Sequence, residues 1–183
     1  MLVVIIAIRR WNFLNNIKKF IFIVFSFAII FSFSGCTKTL YSEEEIIASA
    51  RGVIPLSDIK NIDMRIAGKT IVEDKALMWF VTGNEYQNNR YFPIEYNVVG
   101  KDKYKMYHLY KNSMGMAEGI AFVQWNIDYH NIIIENSECK ILRVKNLDGI
   151  KDYEVTEDNN VFNIKITDGT TEYLFIDKDG NEL

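Results

Sequence analysis

The sequence predicts an α+β fold that is mainly antiparallel β-sheet, with one short N-terminal helix and a sandwich-like C-terminal half. Two observations lead to this prediction. Residues 42–51 combine a helix-capping signal with a helical apolar face. After Pro55 the chain changes to alternating or continuous apolar runs separated by Gly, Asn and Asp, which is the pattern of strands and turns.

The predicted helix opens the regular structure. Ser42 is suited to cap the first amides, and Glu45 is suited to reach back toward the cap. Ile46 and Ala50 fall on one apolar side, and Gly52 ends the pattern. The acidic residues of the first turn complement the helix dipole, so a solvated turn explains them better than a cation site does.

Strand patterns fill the rest of the chain. One of them, residues 75–82, is apolar on both faces and should be a central strand covered on both sides, with the helix as one cover. The predicted strands lie near residues 58–66, 70–73, 75–82, 91–99, 103–110, 119–127, 131–135, 139–145, 160–167 and 171–177.

Three further expectations concern the arrangement of these strands. Pro93 cannot donate to a ladder, which predicts an edge strand or a bulge at that position. Strict alternation in residues 103–110 predicts that Tyr104, Met106, His108 and Tyr110 share one face. Asp148-Gly149, Asp168-Gly169 and Asp179-Gly180 each predict a tight turn. Because Asp168-Gly169 separates two apolar strand patterns, residues 160–177 are expected to form a hairpin.

The composition fits one globular domain, or two small ones, behind a targeting segment. The chain has 183 residues, of which 49% are hydrophobic and 25% charged, with two Pro and two Cys. This excludes collagen, low-complexity disorder and a disulfide framework. Residues 1–35 hold four basic residues and no acidic one, which leaves 17 basic and 24 acidic residues, a net charge of −7, for residues 36–183. We therefore expect no nucleic-acid partner.

The N-terminus carries a targeting signal. An uncharged apolar run, Phe20–Phe33, follows Lys18 and Lys19. It is shorter than the about 20 residues of a spanning helix, so it fits a secretory signal better. Phe33-Ser34-Gly35-Cys36 resembles the lipobox of bacterial lipoproteins, although that family most often has Leu in the place of Phe33. The alternative is an uncleaved membrane helix in which Cys36 is incidental.

The lipobox resemblance implies cleavage before Cys36 and a diacylglyceryl group on its thiol. At least two acyl chains, such as palmitate, would then hold the protein on the extracytoplasmic face of the cell membrane. On this basis residues 1–35 are the signal peptide and residues 36–41 a short tether. Residues 42–117 form a helix-plus-meander half and residues 118–183 a C-terminal β half, although the two halves can also share one core.

A second resemblance involves the mature chain. Three segments together carry this resemblance: the strands of residues 77–81 and 103–110, and the C-terminal residues 173–183. Through them the mature chain is similar to uncharacterised secreted or lipoprotein-anchored proteins of low-GC Gram-positive bacteria. That family has no activity to carry over. The resemblance therefore implies a location in the cell envelope and no mechanism.

The sequence singles out no catalytic, cofactor-binding or metal-binding residue. It lacks the nucleophile elbow, the zinc-protease helix and the glycine-rich phosphate loops. His108 and His130 would need Cys139 or carboxylates to complete a zinc site. Cys139 with His130 could form a thiol–imidazole dyad, but a small apolar filler is commoner in a strand. Ser113 with His108 lacks a third member.

Two segments have a polar pattern with a plain structural explanation. Asp177, Asp179 and Asn181 have part of a calcium-loop spacing, but the twelfth-position acid is missing, so a turn is the better reading. Residues 84–91 mix amides, tyrosines and charge, as sugar- or peptide-binding loops do. An ordinary polar hairpin loop has the same composition.

These observations predict a membrane-anchored extracytoplasmic lipoprotein that acts as a non-enzymatic binding module. Its expected partners are the membrane, through the lipid on Cys36, and an envelope protein or a cell-wall glycan. One alternative is an envelope hydrolase whose carboxylates converge only in three dimensions. Another is a small inhibitor or immunity-type protein.

Overall fold

The computed structural model describes residues 38–57, 59–84, 87–111, 113–166 and 171–183. Residues 1–35, which contain the predicted signal segment, and Cys36 lie outside them, and for residue 84 and residues 87–89 only the backbone is described. In chain order the elements are α1 (Glu43–Arg51), β1 (Met64–Val72), β2 (Lys75–Asn84), β3 (Gln87–Gly100), β4 (Lys103–Leu109), β5 (Met114–Ala117), β6 (Ile120–Trp125), β7 (Tyr129–Ile134), β8 (Ile141–Asn146), β9 (Gly149–Glu154), β10 (Val161–Lys165) and β11 (Glu172–Ile176).

The helix α1 begins where its capping residues predict. The Glu45 amide donates to Ser42 Oγ at 3.2 Å. In return Glu45 Oε2 accepts from the Tyr41 amide at 2.8 Å, one residue before the cap, and Glu45 Oε1 pairs with Lys38 Nζ at 2.6 Å. The helix prediction is therefore confirmed, and the cap extends to hold the chain that leads into the helix.

The strands of the described ranges form three antiparallel sheets. Sheet A has the order β1-β2-β3-β4, sheet B the order β10-β7-β6-β5, and sheet C the order β11-β8-β9. Over the residues that the structure describes, the predicted class, mainly antiparallel sheet with one short helix, is confirmed. Two strands, β5 and β9, were not predicted, because their exposed residues show little apolar alternation.

Strand β2 is covered on both sides, as its doubly apolar sequence predicts. Met78 and Phe80 pack against α1, where Ala50 is fully buried. Leu77, on the opposite face, packs against Val123 of sheet B. Sheet A therefore lies between the helix and sheet B.

Sheet B is likewise covered on both faces, which gives the C-terminal half its sandwich. Ile132 and Ile164 face Leu142 and Phe175 of sheet C. Ile133, the neighbour of Ile132 along β7, faces sheet A instead. Because alternate residues point to opposite faces, the continuous apolar run at the end of β7 is explained by its middle position. The layers follow the order helix, sheet A, sheet B, sheet C.

A β-bulge in β4 corrects the face expected for its residues. Glu95 of β3 pairs with His108, whereas the next residue of β3 pairs with Met106, so Tyr107 is an extra residue. Met106 stays on the helix side of sheet A. A bulge shifts the alternation by one, which turns His108 and Tyr110 to the other face. The expectation of one shared face is wrong for these two residues.

The expected hairpin over residues 160–177 is also wrong. Strand β10 pairs with β7 in sheet B, and β11 pairs with β8 in sheet C. An apolar alternation states which face of a strand is buried, but any strand can supply the backbone partner. The predicted strand at 58–66 is wrong over residues 59–63, since residues 59–61 form a turn, residue 62 is a bend, and β1 begins at Met64.

Pro93 lies in a central strand rather than an edge strand, with β2 on one side and β4 on the other. Its carbonyl accepts from the Tyr110 amide at 3.0 Å, so its nitrogen also points toward the β4 side. The ladder to β4 ends one residue away, at the pair Ile94–Leu109. The missing donor is tolerated because the residue opposite Pro93 is Tyr110, which follows the end of β4, so no ladder continues there.

Candidate functional site

A cleft of about 360 Å³ lies between the start of α1 and sheet A. Its floor is apolar and its rim is charged and aromatic. The floor consists of Ile46, Ile66, Met78 and Tyr104, and the rim of Tyr41, Ser42, Glu43, Lys69 and Asp102, with Gly68 between them. Clefts that bind small ligands have volumes of about 300–1,000 Å³, so this cleft is large enough to hold a small ligand.

The backbone that leads into the helix defines one end of the cleft. Leu40 is buried and exchanges two hydrogen bonds with Tyr104, at 2.8 Å and 3.1 Å. Since Tyr104 lines the cleft, Leu40 ties the start of the folded unit to it. Only residues 37–39 separate Leu40 from Cys36, which is a reach of roughly 14 Å at most.

The rim carries charges of both signs. Glu43 lies in the first turn of α1, Lys69 on β1, and Asp102 in the turn between β3 and β4, where its φ of 53° is one that Asp tolerates. All three side chains are exposed. Lys103 Nζ lies 5.6 Å from the centre of the Tyr41 ring, which indicates that this ring already attracts a cation.

No pattern in the sequence predicts this cleft. Its residues come from four separate segments, and their spacing along the chain shows no motif. The capping signal at Ser42 located one wall, but only the pairing of Leu40 with Tyr104 brings the turn with Asp102 beside it.

A buried carboxylate, Glu95, lies on the other face of sheet A. It is 5% exposed, and its Oε2 accepts from Tyr110 Oη at 2.7 Å and from Trp125 Nε1 at 3.1 Å. Its Oε1 pairs with Lys75 Nζ at 3.0 Å. The charge is therefore balanced and each oxygen has a partner, which suits a structural role in joining sheets A and B.

The surroundings of Glu95 are aromatic and partly exposed. Burial, and then the hydrogen bond and charge of Glu95, raise the pKa of the Tyr110 phenol above its usual range. Lys75 Nζ also donates to Asn97 Oδ1 at 2.6 Å and lies 3.9 Å from the centre of the Tyr107 ring. No sequence signal points to this cluster, because the bulge at Tyr107 is what brings Tyr110 to Glu95.

No family model, curated protein or solved structure matches this chain.

A second buried polar residue, Asn131, connects sheets A and B. It is fully buried, and its Oδ1 accepts from Trp79 Nε1 at 2.6 Å. Its Nδ2 donates to Thr70 Oγ1 at 3.0 Å and to Asn163 Oδ1 at 3.3 Å. Such a satisfied network fixes the register between packed layers.

His130 and Cys139 do not form the dyad that the sequence allows. His130 Nδ1 lies 2.6 Å from Tyr173 Oη, and burial lowers the pKa of the imidazole. Cys139 is 2% exposed, and its Sγ donates to the Ile141 carbonyl at 3.6 Å. Burial raises the pKa of this thiol. Cys139 is therefore a packing residue, which is the reading that the strand pattern favours.

The remaining candidate residues have structural partners. Ser113 Oγ donates to the Tyr91 carbonyl at 3.2 Å, and the exposed His108 ring packs edge-to-face on Tyr110 at 4.7 Å. No group of three metal-ligating side chains forms among the described residues. In the C-terminal turn the Asp177 carboxylate accepts from the amides of Asp179 and Asn181, both at 2.8 Å, so the predicted turn is confirmed.

Two predicted features fall wholly or partly outside the described residues. Cys36 lies wholly outside them. In residues 84–91, Tyr91 is described, and its ring packs edge-to-face against buried Trp79 at 6.5 Å. The part of the chain that the structure covers contains no helix able to cross a membrane.

Proposed function

We propose that this chain is a bacterial lipoprotein, anchored through a lipid on Cys36 at the extracytoplasmic face of the cell membrane, whose folded part binds a ligand in the cleft beside α1. The observation that carries the proposal is the position of the cleft. It lies where the tether joins the folded unit, because Leu40 is hydrogen-bonded to the cleft residue Tyr104.

Two facts support the anchor. Phe33-Ser34-Gly35-Cys36 resembles a lipobox, and an uncharged apolar run precedes it. With a reach of roughly 14 Å between Cys36 and Leu40, lipidation would hold the cleft close to the bilayer surface. The net charge of −7 for residues 36–183 supports attachment by the lipid itself rather than by attraction to anionic headgroups.

The polar groups of the cleft support binding rather than hydrolysis. Glu43 and Asp102 are both exposed, whereas a carboxylic general acid is usually buried in apolar surroundings. The buried carboxylate of Glu95 is occupied by Lys75 and two aromatic donors. An envelope protein and a cell-wall glycan stay as predicted partners of this binding module.

The anchor is tested by intact-mass spectrometry on the membrane fraction. We expect a species that begins at Cys36 and carries a diacylglyceryl mass increment. Cys36→Ala should lose the increment and retain residues 1–35. Cys139→Ala is the matched control, because it removes the buried cysteine and should keep the lipid. Retention of residues 1–35 in the wild type would overturn the anchor.

A further inference from the structure

We propose that the cleft beside α1 binds a zwitterionic amphiphile, with an apolar chain on the floor and an ammonium group and an anionic group at the rim. The inference rests on the proposed function only in using the same cleft, and it holds whether or not Cys36 is lipidated. Each part of the ligand follows from one set of lining residues.

The apolar floor of the cleft indicates that the ligand has a hydrocarbon chain. Ile46, Met78 and Tyr104 are 6%, 2% and 5% exposed, so the base of the cleft is part of the hydrophobic core. A hydrocarbon chain placed there gains about 25 cal/mol for each Å² of its own apolar surface removed from water, since the floor residues are already almost fully buried. A purely polar ligand would gain nothing from this floor.

The rim determines the head group. Glu43 and Asp102 offer two carboxylates, and Tyr41 offers an exposed ring that already lies 5.6 Å from a lysine ammonium. Carboxylates and aromatic faces are the groups that attract alkylammonium ions in proteins. The remaining charged lining residue, Lys69, is suited to an anionic oxygen. A head group that carries both charges therefore satisfies the whole rim.

The test uses the full-length protein in nanodiscs of anionic lipid, observed through the methyl NMR signals of Ile46 and Met78. Three probes share one short chain: hexylphosphocholine, hexyltrimethylammonium and hexyl sulfate. We expect hexylphosphocholine to bind most tightly, hexyltrimethylammonium more weakly, and hexyl sulfate weakest. Equal affinity for all three would show simple hydrophobic partitioning and would overturn the proposal.

Substitutions in the rim test which lining residue binds the ammonium group of the probe and which binds its anionic group. Asp102→Asn should weaken hexylphosphocholine and hexyltrimethylammonium about two- to fivefold, as expected for exposed charge pairs. Lys69→Gln should weaken hexylphosphocholine alone by a similar factor. Glu44→Gln is the matched control, since Glu44 is an exposed neighbour of Glu43 outside the cleft lining, and it should change neither affinity. Equal effects of Asp102→Asn and Glu44→Gln would overturn the assignment.

Two further arms identify the source of the ligand. Nanodiscs of phosphatidylcholine should shift the Ile46 and Met78 signals without any added probe if a membrane lipid enters the cleft. A shift with hexylphosphocholine but not with the lipid would assign a soluble amphiphile of the same chemistry. Phosphocholine without a chain should bind weakly, and binding as tight as that of the hexyl ester would overturn the role of the floor. These signals do not depend on the mass of the N-terminus, so failure here is distinguishable from failure of the anchor.

Discussion

At the residue scale, two buried polar side chains, Glu95 and Asn131, are the centres of hydrogen-bonded networks. Glu95 has donors from Lys75, Tyr110 and Trp125, and Asn131 has a donor in Trp79. Leaving such a group unpaired costs about 1–3 kcal/mol, which explains why each buried polar atom in these networks is matched. The two networks join sheet A to sheet B, on the face of sheet A that lies opposite the cleft.

His130 should make the protein less stable at mildly acidic pH. Burial lowers the pKa of its imidazole in the folded state, so the unfolded state binds the proton at a higher pH. The stability that depends on neutral His130 is therefore fully present above the unfolded pKa of about 6.5 and is lost as the pH falls below it. Urea unfolding at pH 7.5 and pH 5.5 measures the loss.

Substitutions separate this effect from general acid sensitivity. His130→Phe should remove most of the difference between the two pH values, whereas His108→Gln, at an exposed histidine, should leave it in place. The neighbouring Tyr173, whose pKa burial raises to about 12, stays protonated across this range. An unchanged difference in His130→Phe would contradict the assignment.

At the element scale, glycine permits the close approach of sheets A and B at one edge. Gly68 of β1 lies against Val161 of β10, and a Cβ at Gly68 would overlap the Val161 side chain. Asn160 Nδ2 donates to the Ala67 carbonyl at 3.4 Å beside this contact. The bulge next to Gly68 in the pairing of β1 with β2 lies at the same place.

Gly68→Ala should destabilise the protein by about 1–3 kcal/mol, because the added methyl group overpacks a rigid contact. Gly115→Ala is the control, since no described atom lies within 4 Å of a Cβ there, and it should change little. Adding Val161→Ala to Gly68→Ala should restore part of the loss. Denaturant unfolding of the three variants gives the comparison, and equal stability of Gly68→Ala and Gly115→Ala would contradict it.

The elements also show how far sequence patterns reach. Ser42 and Glu45 predicted the helix because a cap depends on residues three positions apart. The doubly apolar β2 predicted its own central position. By contrast, β10 and β11 were assigned to each other and lie in different sheets, since their true partners are distant in the chain.

At the scale of the whole molecule, the layered order predicts which end of the folded unit would face the membrane if Cys36 carries the proposed lipid. The described chain enters the fold at Leu40, which pairs with Tyr104 beside the turn between β3 and β4. Sheet C, with the exposed tip residue Leu147 between β8 and β9, is the layer farthest from the helix side. Anchoring at Cys36 should therefore hold Val99, near the β3–β4 turn, closer to the membrane than Leu147.

Fluorophores attached at Val99→Cys and Leu147→Cys test this orientation. Both positions are exposed, and Cys139 is buried, so labelling should be specific. Spin-labelled lipids should quench the fluorophore at position 99 more strongly than the one at position 147. Equal quenching at the two positions would contradict the orientation, and a Cys36→Ala background would show whether the difference depends on the lipid.

The class of the fold, the helix with its cap, and the burial of β2 on both faces could all be predicted from the amino-acid sequence. These features depend on residues close together in the chain, where hydrogen-bonding geometry and apolar period are local properties. Three features could not be predicted and are seen only in the folded protein: the partners of β10 and β11, the bulge that turns Tyr110 to Glu95, and the cleft that Tyr41 and Asp102 share. Each of these joins segments far apart in sequence through backbone pairing, and backbone groups are the same for every residue pair, so no local pattern specifies them.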